Sequence, residues 1–279
     1  MILAVASGKG GTGKTTVAAA LASAAECTVQ YIDCDVEEPN GSIFLKPSVS
    51  SVEPVNMEIP VINENLCSSC GKCVRFCRFN ALVSLGTTPL VFSELCHSCG
   101  GCAIVCPENA ISWEEHETGH LSFGLTEKGI SVIQGKLKVG TVMAPPVIRA
   151  ARNAGGECAL TVVDCPPGTS CPVIESLEGV DYVLLVTEPT PFGLHDLKLA
   201  VETVREIGIP CSVVINRCDE GDSGVENYCS RENLHVMLRI PHSRRMAEAY
   251  SRGGILTETM PELLNEFRSI PAKVKERLS

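Results

Sequence analysis

The chain has 279 residues, 44% of them apolar and 4% aromatic, and a formal net charge of -10. That length holds one large α/β domain and a small second one. The acidic balance argues against nucleic-acid binding as the main activity, because such proteins carry a basic face. No apolar run approaches the ~18 residues of a membrane span. The first residues already belong to a strand and a glycine loop rather than a secretory leader, so a soluble cytoplasmic protein is expected. Sixteen cysteines in such a chain point to metal rather than disulfides.

The apolar run Ile2 to Ala6 is followed by Ser7-Gly8-Lys9-Gly10-Gly11-Thr12-Gly13-Lys14-Thr15-Thr16 and then by Val17-Ala18-Ala19-Ala20-Leu21. This order predicts a strand, a glycine loop and a helix. Gly8, Gly13, Lys14 and Thr15 satisfy G-x-x-x-x-G-K-[ST] in that context, so backbone N–H groups and a helix N-terminus face one anion. Lys14 is placed to reach the β- and γ-phosphates and Thr15 to offer its hydroxyl to Mg²⁺. Gly10, Gly11 and Gly13 let the backbone approach the phosphates without a side-chain clash. The next buried strand, Thr28 to Ile32, ends in Asp33-Cys34-Asp35-Val36-Glu37-Glu38-Pro39-Asn40. Carboxylates at that end of a strand lie beside the nucleotide crevice of an open α/β sheet.

From about Met57 the composition changes. Cys67-x-x-Cys70-x-x-Cys73-x-x-x-Cys77 recurs 29 residues later as Cys96-x-x-Cys99-x-x-Cys102-x-x-x-Cys106, and Asn80-Ala81-Leu82 recurs as Asn109-Ala110-Ile111. This is an internal repeat. Its spacing is that of a bacterial two-cluster ferredoxin, in which the last cysteine of each run ligates the other cluster. The assignment is therefore Cys67, Cys70, Cys73 and Cys106 to one 4Fe-4S centre, and Cys96, Cys99, Cys102 and Cys77 to the second. Tetrahedral Zn²⁺ is the alternative for paired C-x-x-C. Pro107 follows Cys106, whereas Arg78 stands at the matching place after Cys77; it is either a cation that raises the potential of that centre or a solvated side chain.

Past Ser122, Ala144-Pro145-Pro146-Val147-Ile148-Arg149 opens a short helix, and Leu160 to Val163 reads as a core strand ending in Asp164-Cys165-Pro166-Pro167-Gly168-Thr169. An apolar strand ending in Asp fits a carboxylate on the Mg²⁺ side of a nucleotide, and Gly168 is placed to offer its N–H to the γ-phosphate. Tyr182 to Thr187 is the next strand. Glu188 to Asp196 leads into a helix through Ile207, with His195 a polar residue of its first turns. Cys211 to Ile215 forms another strand, closed by Asn216-Arg217-Cys218-Asp219, with Asn216 placed to meet the purine; Asn-x-x-Asp also suits guanine. His235 to Ile240 closes the sheet, and Arg244 to Arg252 and Met260 to Leu278 read as covering helices. The last carries Leu263, Leu264, Phe267 and Ile270 at helical spacing. Glu262, Glu266 and Pro271 interrupt its basic face, so a packed surface helix without stable membrane association is expected.

Lys9 makes the glycine loop more specific, because the general motif has no second lysine. Gly8 to Thr16 resembles the deviant P-loop of the MinD/ParA/Mrp ATPases, and Asp-x-Pro-Pro-Gly-Thr at Asp164 to Thr169 is similar to the Mrp branch. The resemblance implies that Gly8 to Thr16, Gly168, Asn216 and Arg217 bind ATP, with adenine as the base. It implies that Asp35 orients the attacking water, that Asp164 serves Mg²⁺ through water with Thr15 beside it, and that Lys9 contacts the nucleotide of a facing subunit. A homodimer, or a heterodimer with a related ATPase, follows from it. Cys171, seven residues after Asp164, resembles a bridging-cluster cysteine of the nitrogenase iron protein, but a second such cysteine is missing.

The expected fold is α/β, a mostly parallel P-loop sheet flanked by helices, with an inserted α+β ferredoxin-like domain. The expected division is 1–56 and 122–279 for the ATPase and 57–121 for the insert. The leading function is a slow ATPase with ATP, Mg²⁺ and two 4Fe-4S clusters. It acts on an acceptor metalloprotein or an electron-transfer partner, by delivering clusters or electrons. The competing function is a positioning or scaffold ATPase whose clusters are structural.

Overall fold

The computed structural model describes residues 1–278; Ser279, the last residue of the second ATPase segment, lies outside the described residues. The chain runs β1 (Ile2–Ala6), α1 (Lys14–Ala24), β2 (Val29–Asp33), α2 (Gly41–Leu45) and β3 (Ser48–Ile62). It continues through α3 (Lys72–Phe76), β4 (Leu82–Val83), β5 (Leu90–Val91), α4 (Gly101–Ile104), β6 (Ile111–Leu125) and β7 (Ser131–Leu137). The remainder is α5 (Pro145–Asn153), β8 (Leu160–Asp164), α6 (Cys171–Ser176), β9 (Tyr182–Thr187), α7 (Pro191–Ile207) and β10 (Cys211–Asn216), then α8 (Gly224–Arg231), β11 (Val236–Ile240), α9 (Arg244–Tyr250), α10 (Leu256–Thr259) and α11 (Leu264–Leu278).

Nine strands form one sheet in the order β11-β10-β9-β1-β8-β2-β7-β6-β3. Six neighbouring pairs, from β11-β10 to β2-β7, are parallel. β6 runs antiparallel to both β7 and β3. The central strands are apolar on both faces, as a parallel sheet covered by helices requires. Alternate residues serve different cores: Leu3 and Val5 of β1 join α1, α2 and α11, whereas Ala4 and Ala6 join α5, α6, α7 and α8. In α11 the buried residues Phe267, Ile270 and Val274 pack in the first of these cores, as its spacing predicts. No helix among the described residues is long and apolar enough to cross a membrane.

The strand boundaries differ from the sequence expectation. Positions 57 and 122 fall inside β3 and β6, two 15-residue strands paired from Ser48↔Leu125 to Ile62↔Ile111. At about 3.3 Å per residue each spans about 50 Å. Its near half extends the large sheet, because Gly119 to Leu125 pairs with β7. Its far half is a two-stranded arm that packs against residues 63–110, which carry the eight clustered cysteines: Met57 and Ile59 are buried beside Ala81 and Cys96, and Ile62 and Ile111 lie beside Cys73, Leu82 and Cys102. Residues 46–56, whose prolines and serines suggest a flexible tether, are mostly strand. Most of their side chains are exposed on both faces, so no hydrophobic alternation marks them, and Pro54 is tolerated on a sheet edge.

Candidate functional site

The C-terminal ends of the parallel strands surround a cleft of about 880 Å³. Gly10, Gly11, Gly13, Lys14, Thr15, Thr16, Asp35, Asn216 and Arg217 line it; Gly8, Lys9, Thr12, Asp164 and Gly168 are not in its lining. Gly10 and Gly11 face open space, so backbone alone presents to an anion there. Gly13 has φ 96°, and a Cβ on it has no room beside the Asn216 amide. That amide donates from Nδ2 to the Thr12 carbonyl at 2.9 Å, which seats β10 on the loop. Gly8 is pressed against the backbone of Asp196 in α7. Lys9 is half-buried, its carbonyl accepting from the Ser7 hydroxyl at 2.6 Å.

Asp33 and Asp164 end neighbouring strands in register, and both are fully buried. The Asp33 carboxylate is occupied: its Oδ2 accepts from Gly41 N–H at 2.9 Å and its Oδ1 from Asp35 N–H at 3.2 Å. Asp164 Oδ2 accepts from the Tyr31 hydroxyl at 2.8 Å, whereas Asp164 Oδ1 has no partner. A buried carboxylate oxygen left unpaired is costly, and with Lys14 and the Thr15 hydroxyl near Asp164 the donor set fits a hydrated Mg²⁺. Burial pushes both aspartates above the usual carboxylate range, Asp33 further through the charge of Asp164, and Lys14 opposes the rise at Asp164. Asp35 is raised to about 6, by burial first, with Lys14 opposing and Asp164 adding.

The opposite wall was not legible in the sequence. Pro241, His242 and Ser243 after β11, with Met246, Ala247 and Tyr250 of α9, complete the cleft. Tyr250 packs on Phe44 of α2 with ring centroids 5.0 Å apart. Arg217 has φ 53° and its Nη1 lies 3.1 Å from Oε1 of Glu188, a partner that no motif indicated. Asp219 is absent from the lining: its Oδ1 accepts the backbone N–H of His242, a bond that also lowers its pKa.

The cysteine lobe repeats in its backbone as well as in its sequence. Ser69 and Ser98, Gly71 and Gly100, and Asn80 and Asn109 all adopt positive φ, and α3 and α4 begin one residue after the two glycines. Two cavities divide the eight thiols. Cys77, Cys96, Cys99 and Cys102 line one of about 170 Å³ with Phe76, Arg78, Phe79, His97 and Trp113. Cys67, Cys70, Cys73 and Cys106 line a tighter one of about 20 Å³ with Lys72 and Glu108. Each set thus contains the last cysteine of the other run. Burial raises Cys73, Cys96 and Cys102, the last to about 11. Among the described residues no three Cys, His, Asp or Glu side chains converge closely enough to hold a single metal ion. Cys171 is exposed at the start of α6, and Cys34 and Cys165 are buried in the core under α5.

Backbone contacts link the Asp35 loop to the sheet edge that continues into the arm. Val36, next to Asp35, accepts a hydrogen bond from Leu137 N–H at 2.8 Å, and Leu137 pairs with Gly119 of β6. Only Lys46 and Pro47 separate α2 from β3.

Comparison with known proteins agrees with this geometry. A family model described as the CobQ/CobB/MinD/ParA nucleotide binding domain matches residues 3–256. An uncharacterized protein of Methanocaldococcus jannaschii is 33% identical over 87% of this chain and 83% of its own. An iron-sulfur cluster carrier protein of Aquifex aeolicus is 26% identical over 98% of this chain, which spans 66% of that protein. The septum site-determining protein MinD of Pyrococcus horikoshii, solved with Mg-ADP, aligns with a TM-score of 0.61 at 15% identity, covering 100% of this chain and 98% of that one. At that identity the likeness is one of fold. The family match extends across the glycine loop, the buried aspartates and Asn216, and the chain belongs to the CobQ/CobB/MinD/ParA nucleotide-binding family.

Proposed function

We propose that the protein is a slow, dimer-dependent ATPase whose nucleotide state controls two 4Fe-4S clusters, in assembly, insertion or reduction of a partner's metal centre. Lys14 holds phosphates, Thr15 and Asp164 serve Mg²⁺, Asp35 places the water, and Lys9 acts across a subunit interface. Adenine is the base: Asp219, the residue that a guanine reading needs, spends its carboxylate on the His242 backbone.

The cluster reading rests on the donor set. Four thiols surround each cavity rather than meeting at a point, which suits a polynuclear centre better than tetrahedral Zn²⁺ with its bonds of about 2.3 Å. Bound clusters would supply one-electron chemistry; the chain's part is to hold one beside Phe76, Phe79 and Trp113 and the other beside Ile62 and Ile111, and to move both with the arm. The observation that carries the coupling is the hydrogen bond from Leu137 to Val36, one residue from Asp35, because a loop ordered by a γ-phosphate then pulls on the sheet that continues into the arm. Kinship with a cluster carrier favours this reading over a positioning ATPase.

Anaerobic iron and sulfide analysis with low-temperature EPR tests the cluster assignment. About eight iron atoms per chain in two 4Fe-4S centres are expected. Stoichiometric zinc, or one cluster only, contradicts it.

A further inference from the structure

We infer that Tyr31 is a positioning residue for the cation carboxylate Asp164, and that its ring sets the same carboxylate in register with the start of α2. The inference rests on the reading of Asp164 as the Mg²⁺-side group. Position 31 lies on the face of β2 that joins the α1 core, among Leu3, Val5 and Val162, where the strand pattern calls for an aliphatic residue. A tyrosine there carries a hydroxyl into a fully buried place, and such a hydroxyl needs a partner.

Its partner is fixed by exclusion. The nearest strand-end carboxylates are Asp33 and Asp164, and both Asp33 oxygens already accept backbone N–H groups. Tyr31 therefore donates to Asp164 Oδ2, and Asp164 Oδ1 is the oxygen left over. One bond holds the carboxylate's orientation, and one oxygen is left unpaired with Lys14 and Thr15 near the carboxylate. The Cε1, Cζ and hydroxyl of the same ring lie against Gly41, where a Cβ has no room. Gly41 opens α2, and Asp33 holds its N–H. Tyr31 thus touches the cation carboxylate with its hydroxyl and the root of the arm with its ring. Partners that orient a metal ligand are commonly worth 10- to 100-fold in metal affinity or activity.

The test titrates Mg²⁺ against binding of a fluorescent ATP analogue, with no turnover needed. In wild type, Mg²⁺ tightens binding. In Tyr31→Phe, which keeps the ring on Gly41, affinity in EDTA is unchanged and the Mg²⁺ concentration for half-effect rises about 10-fold or more. Tyr31→Leu, which supplies the aliphatic residue that the strand accommodates, shows the same shift and carries the test if the phenylalanine variant does not fold. A purely structural tyrosine lowers the melting temperature and leaves the Mg²⁺ curve in place, so variant curves that coincide with wild type within twofold overturn the inference. Wild-type binding that ignores Mg²⁺ removes the cation reading of Asp164 itself, a different failure.

Discussion

The nucleotide half and the cysteine lobe are stabilised in different ways. Around the cleft, two extensive cores of aliphatic and aromatic side chains bury both faces of a parallel sheet. The lobe has two small apolar clusters, and cysteines are among their members: Cys96 beside Met57, Ile59 and Ala81, and Cys73 and Cys102 beside Leu82. Its regular elements are the ends of β3 and β6, two helices of five and four residues, one turn of 3-10 helix at Ser93–Leu95 and a pair of two-residue strands. Segments this small do not fold on hydrophobic burial alone and need a metal or a crosslink. On the cluster reading, the first half folds without its ligand and the second folds around one.

Removing the metal sharpens that contrast most. Chelation of reduced, cluster-loaded protein should abolish slow hydrogen exchange across residues 63–110, because the thiols that line the cavities are then unpaired in a poor core. The transition of the nucleotide half should move by less than about 1 kcal/mol, since neither of its two cores contains a residue of 63–110. Joint melting of both halves on metal loss would break the comparison.

The two halves were also legible to different degrees. The glycine loop and the cysteine repeat are local spacings, so Gly8 to Thr15 and Cys67 to Cys106 could be read in one dimension. Each of the two cavities is lined by three cysteines of one run and the last cysteine of the other. What escaped is long-range. Tyr31 reads as an ordinary core aromatic until Asp164, distant in the chain, arrives beside it. The near ends of β3 and β6 were missed because Val49, Val52 and Leu125 are exposed, whereas Val55, Met57 and Ile59 further along β3 are buried in the alternation of a half-buried strand. The α9 wall was missed because its helix was read as a cover for the sheet, with nothing to show which residues face the cleft.

A smaller effect concerns Asp35, the group shared between cleft and arm. Its pKa of about 6 lies above that of an exposed carboxylate, so the folded state takes up a proton there that the unfolded chain does not. Stability from this group therefore rises as pH falls from above 6 toward about 4, opposite to a salt-bridged aspartate. Water placement needs the ionised form, so hydrolysis should fall about tenfold per pH unit below 6. Steady-state rates and thermal melts over pH 5–8 check both signs; Asp35→Asn should flatten the rate profile at a low level.

The most direct measurement is hydrogen exchange of the cluster-loaded protein with Mg-ATP, with Mg-ADP and without nucleotide, read along residues 48–62 and 111–125. The coupling account predicts that protection in the arm differs between the ATP and ADP states, beginning at the residues paired to β7 and continuing toward Ile62 and Ile111. A population shift from mostly one arrangement to mostly the other needs about 5.5 kcal/mol of differential binding. Identical protection along both strands in all three states, with nucleotide bound, would contradict it and leave an ATPase and a cysteine lobe joined by an indifferent strut.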